Sequence, residues 1–598
     1  MRSLFNMILL AFVLNINFTY AGNTKDNAQT SIHWQALSNA IFEQAKRENK
    51  FVILDLEAVW CHWCHVMEDK TYHNPAVIKL IKQKYIAVRV DQDANPDISN
   101  RYEDYGWPAT IVFATDGSEI VKRRGFIPPQ LMASLLQEII NDPTPGPSIG
   151  KKIIPVVGTS IQFDSAKRDQ FIGDINSGYD TKLGGWGEEH KFILAPNVEY
   201  ALICAKSGDK AFEYKVRETL DAALGLIDPV WGGVYQYSDR GRWDSPHFEK
   251  IMSIQSDDLR LYSVASVQFH EERYLKAARN IERYLIDFLT SPEGAFYTSQ
   301  DADVSTTIDG HMFYPLDDKS RRALGMPHID KTIYTRENGW AIKGLLALYD
   351  AIADRTTLQR AVVATRWIEQ NRQLPEGGFS HGAKDRAGPY LGDTLAMADA
   401  YLALYTSTGD RAWLAKSKSS VAFIQKQFKT ESGFVTVANT NDKGVFQQPI
   451  KQSEENIGIA RLANQLFHYT GDEVYQKVAE YAMKYIVALA NADSSRYQAG
   501  ALIAADEIAE APAHITVVGA KTDAAAIALH DKAIQYPALY RRIEWWDKTE
   551  GAMPNSDVHY PQLERAAAFV CVNHACSTPI FEPEKISTKA DLLLFGTE

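Results

Sequence analysis

Cysteine is scarce in this chain. Five in 598 residues exclude a disulfide-built scaffold, which packs many cysteines into a short sequence. A second Cys-x-x-Cys is missing, and with it the four-thiolate zinc site that two such pairs would build; no metal and no cofactor is expected. Positive charge is in deficit: 63 Lys and Arg against 75 Asp and Glu give a formal net charge of −12, and no basic run stands out. A nucleic-acid partner is therefore excluded on charge, because phosphate binding needs clustered cations. Beyond the extreme amino terminus no apolar stretch approaches the ~18 residues of a membrane-spanning helix, so no stable membrane span is expected.

What is present suits a large multidomain protein. Hydrophobic residues make up 45% and charged residues 23% of the chain, and its length fits several units of roughly 150 residues each. Residues 1–21 read as a signal peptide, with Arg2, the apolar run MILLAFVLNI and a small residue, Ala21, before Gly22. The mature protein is expected to be exported, periplasmic or secreted, where disulfides persist.

The chemistry concentrates between Phe51 and Phe113. FVILDLEAV (51–59) reads as a buried strand and is followed at once by CHWCHVM (61–67). A strand that stops at Cys-x-x-Cys and resumes as a helix puts Cys61 at the helix N-terminus, where free N–H groups and the helix dipole stabilise a thiolate. A protonated His62 acts in the same direction. Cys61 is thus the expected nucleophile and Cys64 the resolving thiol. Asp55 lies inside the apolar strand, where burial raises a carboxyl pKa and fits it to accept a proton from the dithiol. Trp107-Pro108 precedes the apolar run IVFA and is a candidate cis X-Pro bond at a strand entry.

This order, from Asp55 through Cys61, Cys64, Trp107, Pro108, an Asp116-Gly117 hairpin and Gly125 to a final helix, resembles thioredoxins over about 110 residues. The resemblance implies thiol-disulfide exchange, with Trp107 and Pro108 shaping a groove for a partner backbone. Glu57 departs from the pattern: thioredoxins usually carry an aromatic residue there. A thioredoxin-like domain is placed at 32–141, and the Pro-rich stretch after it opens a linker at 142–162.

Beyond the linker, helices recur in pairs: 195–206 with 210–226, 256–269 with 272–289, 338–353 with 356–371, 393–407 with 411–427, and 454–468 with 473–490. Gly-aromatic stretches separate the pairs, among them Gly232-Gly233-Val234-Tyr235 and Gly377-Gly378-Phe379. Such a repeat buries its core only by stacking on neighbours. An added helix near 163–177, paired with one further along, would close an (α/α)₆ toroid over 163–505. From 506 to 598 strands return, giving a small C-terminal α/β appendage able to close the toroid. The fold class is multidomain: α/β, then all-α, then α/β.

Polar residues gather in the loops at the expected toroid mouth. His247, Glu249, Asp301, Asp303, His381 and Asp393 form a candidate ligand site of the kind that binds or cleaves sugars. The motifs PHFEK (246–250), FYTSQDAD (296–303), DKTIYTRENGW (330–340) and FVCVNHACSTP (569–579) resemble the spermatogenesis-associated thioredoxin-domain family. That resemblance implies a thioredoxin-like domain fused to a toroid similar to N-acylglucosamine 2-epimerases and six-hairpin glycosidases. IMSIQSDDL (251–259), LGDTLAM (391–397) and SEENI (453–457) depart from the family pattern. Cys571 and Cys576 also match the family, either as a local structural disulfide or as a second redox pair exchanging with Cys61 and Cys64. Cys204 reads as a small buried hydrophobe.

The reading is an exported thiol-disulfide oxidoreductase, with the toroid as docking or ligand-binding module. Its expected partners are a disulfide-containing protein substrate and a redox partner. The alternative is a carbohydrate-active or sugar-binding protein whose redox domain is accessory.

Overall fold

The computed structural model describes residues 31–150, 155–438, 446, 450–492, 498–572 and 575–596. The signal-peptide expectation for residues 1–21 lies outside the described residues.

The amino-terminal unit is a five-stranded sheet with helices on both faces. Its elements are β1 (Gln35–Ala36), α1 (Asn39–Glu48), β2 (Phe51–Glu57), α2 (His62–Met67), α3 (Pro75–Lys84), β3 (Tyr85–Asp91), α4 (Pro96–Arg101), β4 (Ala109–Phe113), β5 (Glu119–Arg124) and α5 (Pro129–Asn141). Strand order is β1-β3-β2-β4-β5, with β2 parallel to β3 and antiparallel to β4. The central strand β2 is apolar on both faces because each is covered by a helical layer. Asp55 is its one buried acid, at 2% exposure.

Six helical pairs close a ring. They begin with α6 (Ser165–Ser177), α7 (Ala195–Lys206) and α8 (Lys210–Ala223). Short strands β6 (Tyr237–Ser238), β7 (Pro246–His247) and β8 (Lys250–Ile251) lead to α9 (Met252–Phe269) and α10 (Glu272–Phe288). After β9 (Ser299–Gln300), α11 (Gly310–Phe313), α12 (Asp318–Leu324) and β10 (Ile329–Asp330) come α13 (Thr335–Ile352), α14 (Arg355–Arg372), α15 (Leu391–Thr408) and α16 (Arg411–Gln427). The last are α17 (Ser453–Thr470), α18 (Glu473–Ala492) and α19 (Gln498–Ala509). Helix α19 packs against α6, α7 and α17 and supplies the sixth inner helix. The inner helices begin up to four residues earlier than their apolar periodicity implies, because their first turns carry polar groups that bind loops.

Those first turns explain the repeat. Asn338 of α13 accepts the Phe296 N–H at 2.8 Å and donates to its carbonyl at 3.0 Å. Asn456 of α17 does the same to Phe434, and Gln255 of α9 to Val234. Each side-chain amide satisfies the backbone of the preceding Gly-aromatic loop, which would otherwise be buried unpaired. Glycine is required there: Gly233 has φ 75°, and a Cβ would stand 2.5 Å from the Tyr284 ring.

The C-terminal unit carries β11 (Ala513–Val518), α20 (Ala524–Ile534), β12 (Arg541–Trp546), β13 (Ala567–Val572), β14 (Ala575–Cys576) and α21 (Lys585–Phe595), with sheet order β12-β11-β13-β14. It covers the ends of the inner helices at their C-termini. Tyr349 enters its core, Arg541 pairs with Asp350, and Tyr469 accepts the Ile543 N–H at 3.1 Å. The amino-terminal unit covers the opposite end, over the inner-helix N-termini. Phe446, from the toroid loop before α17, packs edge-on against both Phe42 and Phe113 of that unit.

Two consequences follow for the cysteines. Cys571 and Cys576 are disulfide-bonded to each other at the junction of β13 and β14. They lie across the toroid from Cys61 and Cys64, separated by the 18 residues of an inner helix such as α13, or about 27 Å of rise. The expectation that this pair exchanges with Cys61 and Cys64 is corrected: the appendage caps the wrong end of the ring. Cys204 is half-buried on α7, and burial pushes its thiol up to about 11.

Candidate functional site

Cys61 and Cys64 meet where β2 runs into α2, and they are disulfide-bonded. Cys61 is the N-cap of α2, and its Sγ accepts the Cys64 N–H at 3.1 Å. Around the pair pack Ala58, Trp60, Trp107 and, from the toroid, Ile251. The Trp107-Pro108 peptide is cis and leads straight into β4 beside the active strand. Each cysteine is only 4% exposed. The expectation of a groove open to a partner chain is thereby corrected: the lip of the toroid occupies it. The Glu249 carboxylate accepts the His62 backbone N–H at 3.3 Å, a free donor at the start of α2.

Within β2, Asp55 is raised to about 6 by burial, against the opposing pull of Arg89. Arg89 donates to Asp55 at 3.3 Å, lies 3.3 Å from Glu57 and pairs with Glu68. Glu57 is raised to about 8, by burial and by the neighbouring Asp55 charge. A carboxyl whose folded pKa exceeds its unfolded value costs stability once it ionises: the cost is absent below about pH 4 and complete above about pH 6. Asp55→Asn is therefore expected to stabilise the protein by about 2–3 kcal/mol at pH 7 and by little at pH 4, as read from urea unfolding at the two pH values. Equal effects at both would show that Asp55 is not the titrating group.

The seam between the units carries most of the sequence-predicted polar residues. His62 Nδ1 pairs with Asp303 at 2.6 Å, and His65 Nδ1 lies 3.6 Å from Asp301. The small sheet β10-β9-β8 sets these positions, since Glu249 precedes β8 and Asp301 follows β9. Burial raises Glu249 to about 7 and Asp301 to about 8, while the Asp303 hydrogen bond raises His62. His247 stacks on Tyr237 and is lowered to about 4 by burial. A cavity of about 160 Å³ opens here, lined in part by His62, Trp63, His247, Glu249 and Asp303.

His381 and Asp393 do not join this group. They form a fully buried pair at 2.8 Å on another side of the mouth, and the second His381 nitrogen lies 2.6 Å from the Asp93 carbonyl of the amino-terminal unit. Here they tie the two units together. Arg386 pairs with Asp97 close by. Burial alone would lower His381, but the Asp393 charge and hydrogen bond outweigh it and hold the imidazolium to about 9. With a folded pKa above the unfolded one, its stabilisation is complete below about pH 6.5 and lost as pH rises through about 9. Reduction of Cys61–Cys64 by a phosphine is accordingly expected to accelerate above pH 9, and in His381→Phe to be fast already at pH 7. A rate flat from pH 7 to 10 in the parent protein would contradict the tie.

Sequence reasoning missed the acids at the end of β3 and the axis of the ring. Asp93 accepts the Trp60 indole N–H at 2.7 Å and is buried. Along the axis lie Asp257, Arg260, Arg336, Lys343, Glu454 and Arg461, and a cavity of about 200 Å³ there is lined by Arg260, Lys343, Asp399 and Arg461.

Comparison with known proteins agrees with this anatomy. The family model Thioredox_DsbH, described as "Protein of unknown function, DUF255", matches residues 19–141. Thioredoxin H7 of Arabidopsis thaliana is 32% identical over 101 residues, covering 16% of this chain and 72% of that protein. The chain belongs, through this domain, to the thioredoxin family. Spermatogenesis-associated protein 20 of Mus musculus is a homologue, 26% identical over 318 residues that cover 46% of this chain and 39% of that protein. The chain spans less than half the length of the first curated relatives it matches. Among solved structures, a D-mannose isomerase overlaps 58% of this chain and 98% of its own at 12% identity, with a TM-score of 0.44. The thioredoxin-like domain is fused to a ring of paired helices.

Proposed function

We propose that the protein is an exported thiol-disulfide oxidoreductase acting through Cys61 and Cys64. The carrying observation is the Cys61 sulfur at the α2 N-terminus, bonded to Cys64, where the strand that buries Asp55 runs into that helix. In the reduced form the Cys61 thiolate attacks a substrate disulfide, forming a mixed disulfide and releasing one substrate thiolate. Cys64 then attacks the Cys61 sulfur, its proton passing toward Asp55. The second substrate thiolate leaves, and two electrons have moved to the substrate. Because the toroid lip covers both sulfurs, the substrate is a small disulfide, or a protein admitted when the seam opens. Equilibration with glutathione redox buffers tests the proposal, with thiols quantified by alkylation. A reversible two-electron transition at Cys61–Cys64 in the native protein is expected; a disulfide that reduces only on unfolding would sink it.

A second reading keeps the sugar-active alternative, on the strength of the axial cavity and its mixed acids and bases. Its signature is a sugar-induced rise in melting temperature that persists in Cys61→Ser.

A further inference from the structure

Three side chains from two units converge beside the dithiol. His65 comes from α2, one helical turn beyond Cys61; Asp301 and Asp303 come from the toroid loop after β9. One potential ligand atom from each lies within 4.8 Å of the others. Atoms coordinating a single ion at ~2.1 Å stand no more than about 4.2 Å apart, so closing the set takes about half an ångström. A half-exposed His65 ring can supply that by a small rotation.

A cluster of acids alone would mean little. Two further features point to a ligand. Glu249 is 3% exposed, and its Oε2 is buried without a hydrogen-bond partner, while Oε1 accepts the His62 N–H. Glu249 and Asp303 line the same cavity, and the Glu249 charge acts on Asp301, so the orphan oxygen lies beside the cluster. A carboxylate oxygen left this way is costly unless a cation or proton meets it. His65, for its part, has the Val59 backbone as a hydrogen-bond partner. A ring anchored through the backbone is how protein imidazoles are presented to metals.

We propose that His65, Asp301 and Asp303, with Glu249 alongside, form a binding site for one divalent transition-metal ion that bridges the thioredoxin-like domain and the toroid. One imidazole and two or three carboxylates suit manganese or zinc. The ion would neutralise crowded carboxylates and fasten the toroid lip over the cysteine pair.

The test uses the full-length protein with Cys61–Cys64 oxidised, so that no thiolate competes for metal. Manganese is titrated and followed by loss of the free-ion paramagnetic resonance signal, with zinc as competitor. One ion per chain is expected, displaced by zinc and accompanied by a higher melting temperature. Affinity should fall at least tenfold in His65→Ala, whose half-exposed position leaves folding intact, and likewise in Asp301→Asn. Absence of stoichiometric binding, or binding unchanged in both variants, would overturn the proposal.

Discussion

Asp228→Asn is expected to destabilise the protein by about 3–5 kcal/mol, the largest single effect outside the dithiol. Asp228 is the only acid of a buried triad. It accepts from Lys250 Nζ at 2.8 Å and from both terminal nitrogens of Arg321 at 2.7 and 3.0 Å, and all three side chains are fully buried. The two cations also sit over the rings of Tyr235, Tyr284, Tyr314 and Trp231. Removing the one negative charge leaves two cations with no counter-charge in a medium that cannot solvate them. Burial alone would raise Asp228, but Lys250 and Arg321 hold it down to about 2. Its contribution is therefore present above about pH 4 and fades as pH falls toward 2. Chemical denaturation at pH 7 and pH 3 checks both statements. A loss under ~1 kcal/mol at pH 7 would show that the triad is solvated.

Cys61→Ser is expected to reduce exchange with a small disulfide on the order of a thousandfold or more, because the covalent intermediate has no sulfur on which to form. Cys64→Ser should behave differently: the first attack proceeds, and the mixed disulfide accumulates because no thiol resolves it. Mass spectrometry of the trapped species locates the bond at Cys61. Exchange retained in Cys61→Ser, or a trap at Cys571 or Cys576, would assign the chemistry elsewhere. The covered position of the sulfurs adds a distinguishing feature. Opening the seam by His381→Phe should raise the rate with a protein disulfide far more than with a small one, since the larger substrate needs the lip to move further.

The local elements were legible because they are local. Cys-x-x-Cys after FVILDLEAV specifies a strand, a cap and a helix between Phe51 and Met67, and 3.6-residue periodicity marks ten of the ring helices. The paired amides of Asn338 and Asn456 were hidden, since an Asn at a helix start reads as a cap until the loop it clamps is in view. Asp228, Lys250 and Arg321 carried no signal as a set, spread as they are over 93 residues.

The sequence by itself determined the Cys61–Cys64 pair, its helix cap, the acid buried in the preceding strand and the helical hairpins, all of which depend on neighbours along the chain. Only the tertiary structure decided that the pair faces inward, with His62 against Asp303 across 241 residues and His381 holding Asp93 across 288. Ring closure brings loops from separate hairpins to one mouth, and the domain seated there turns its cysteine pair toward them. That geometry is a sum over every helix crossing in the ring, which no single stretch of sequence contains.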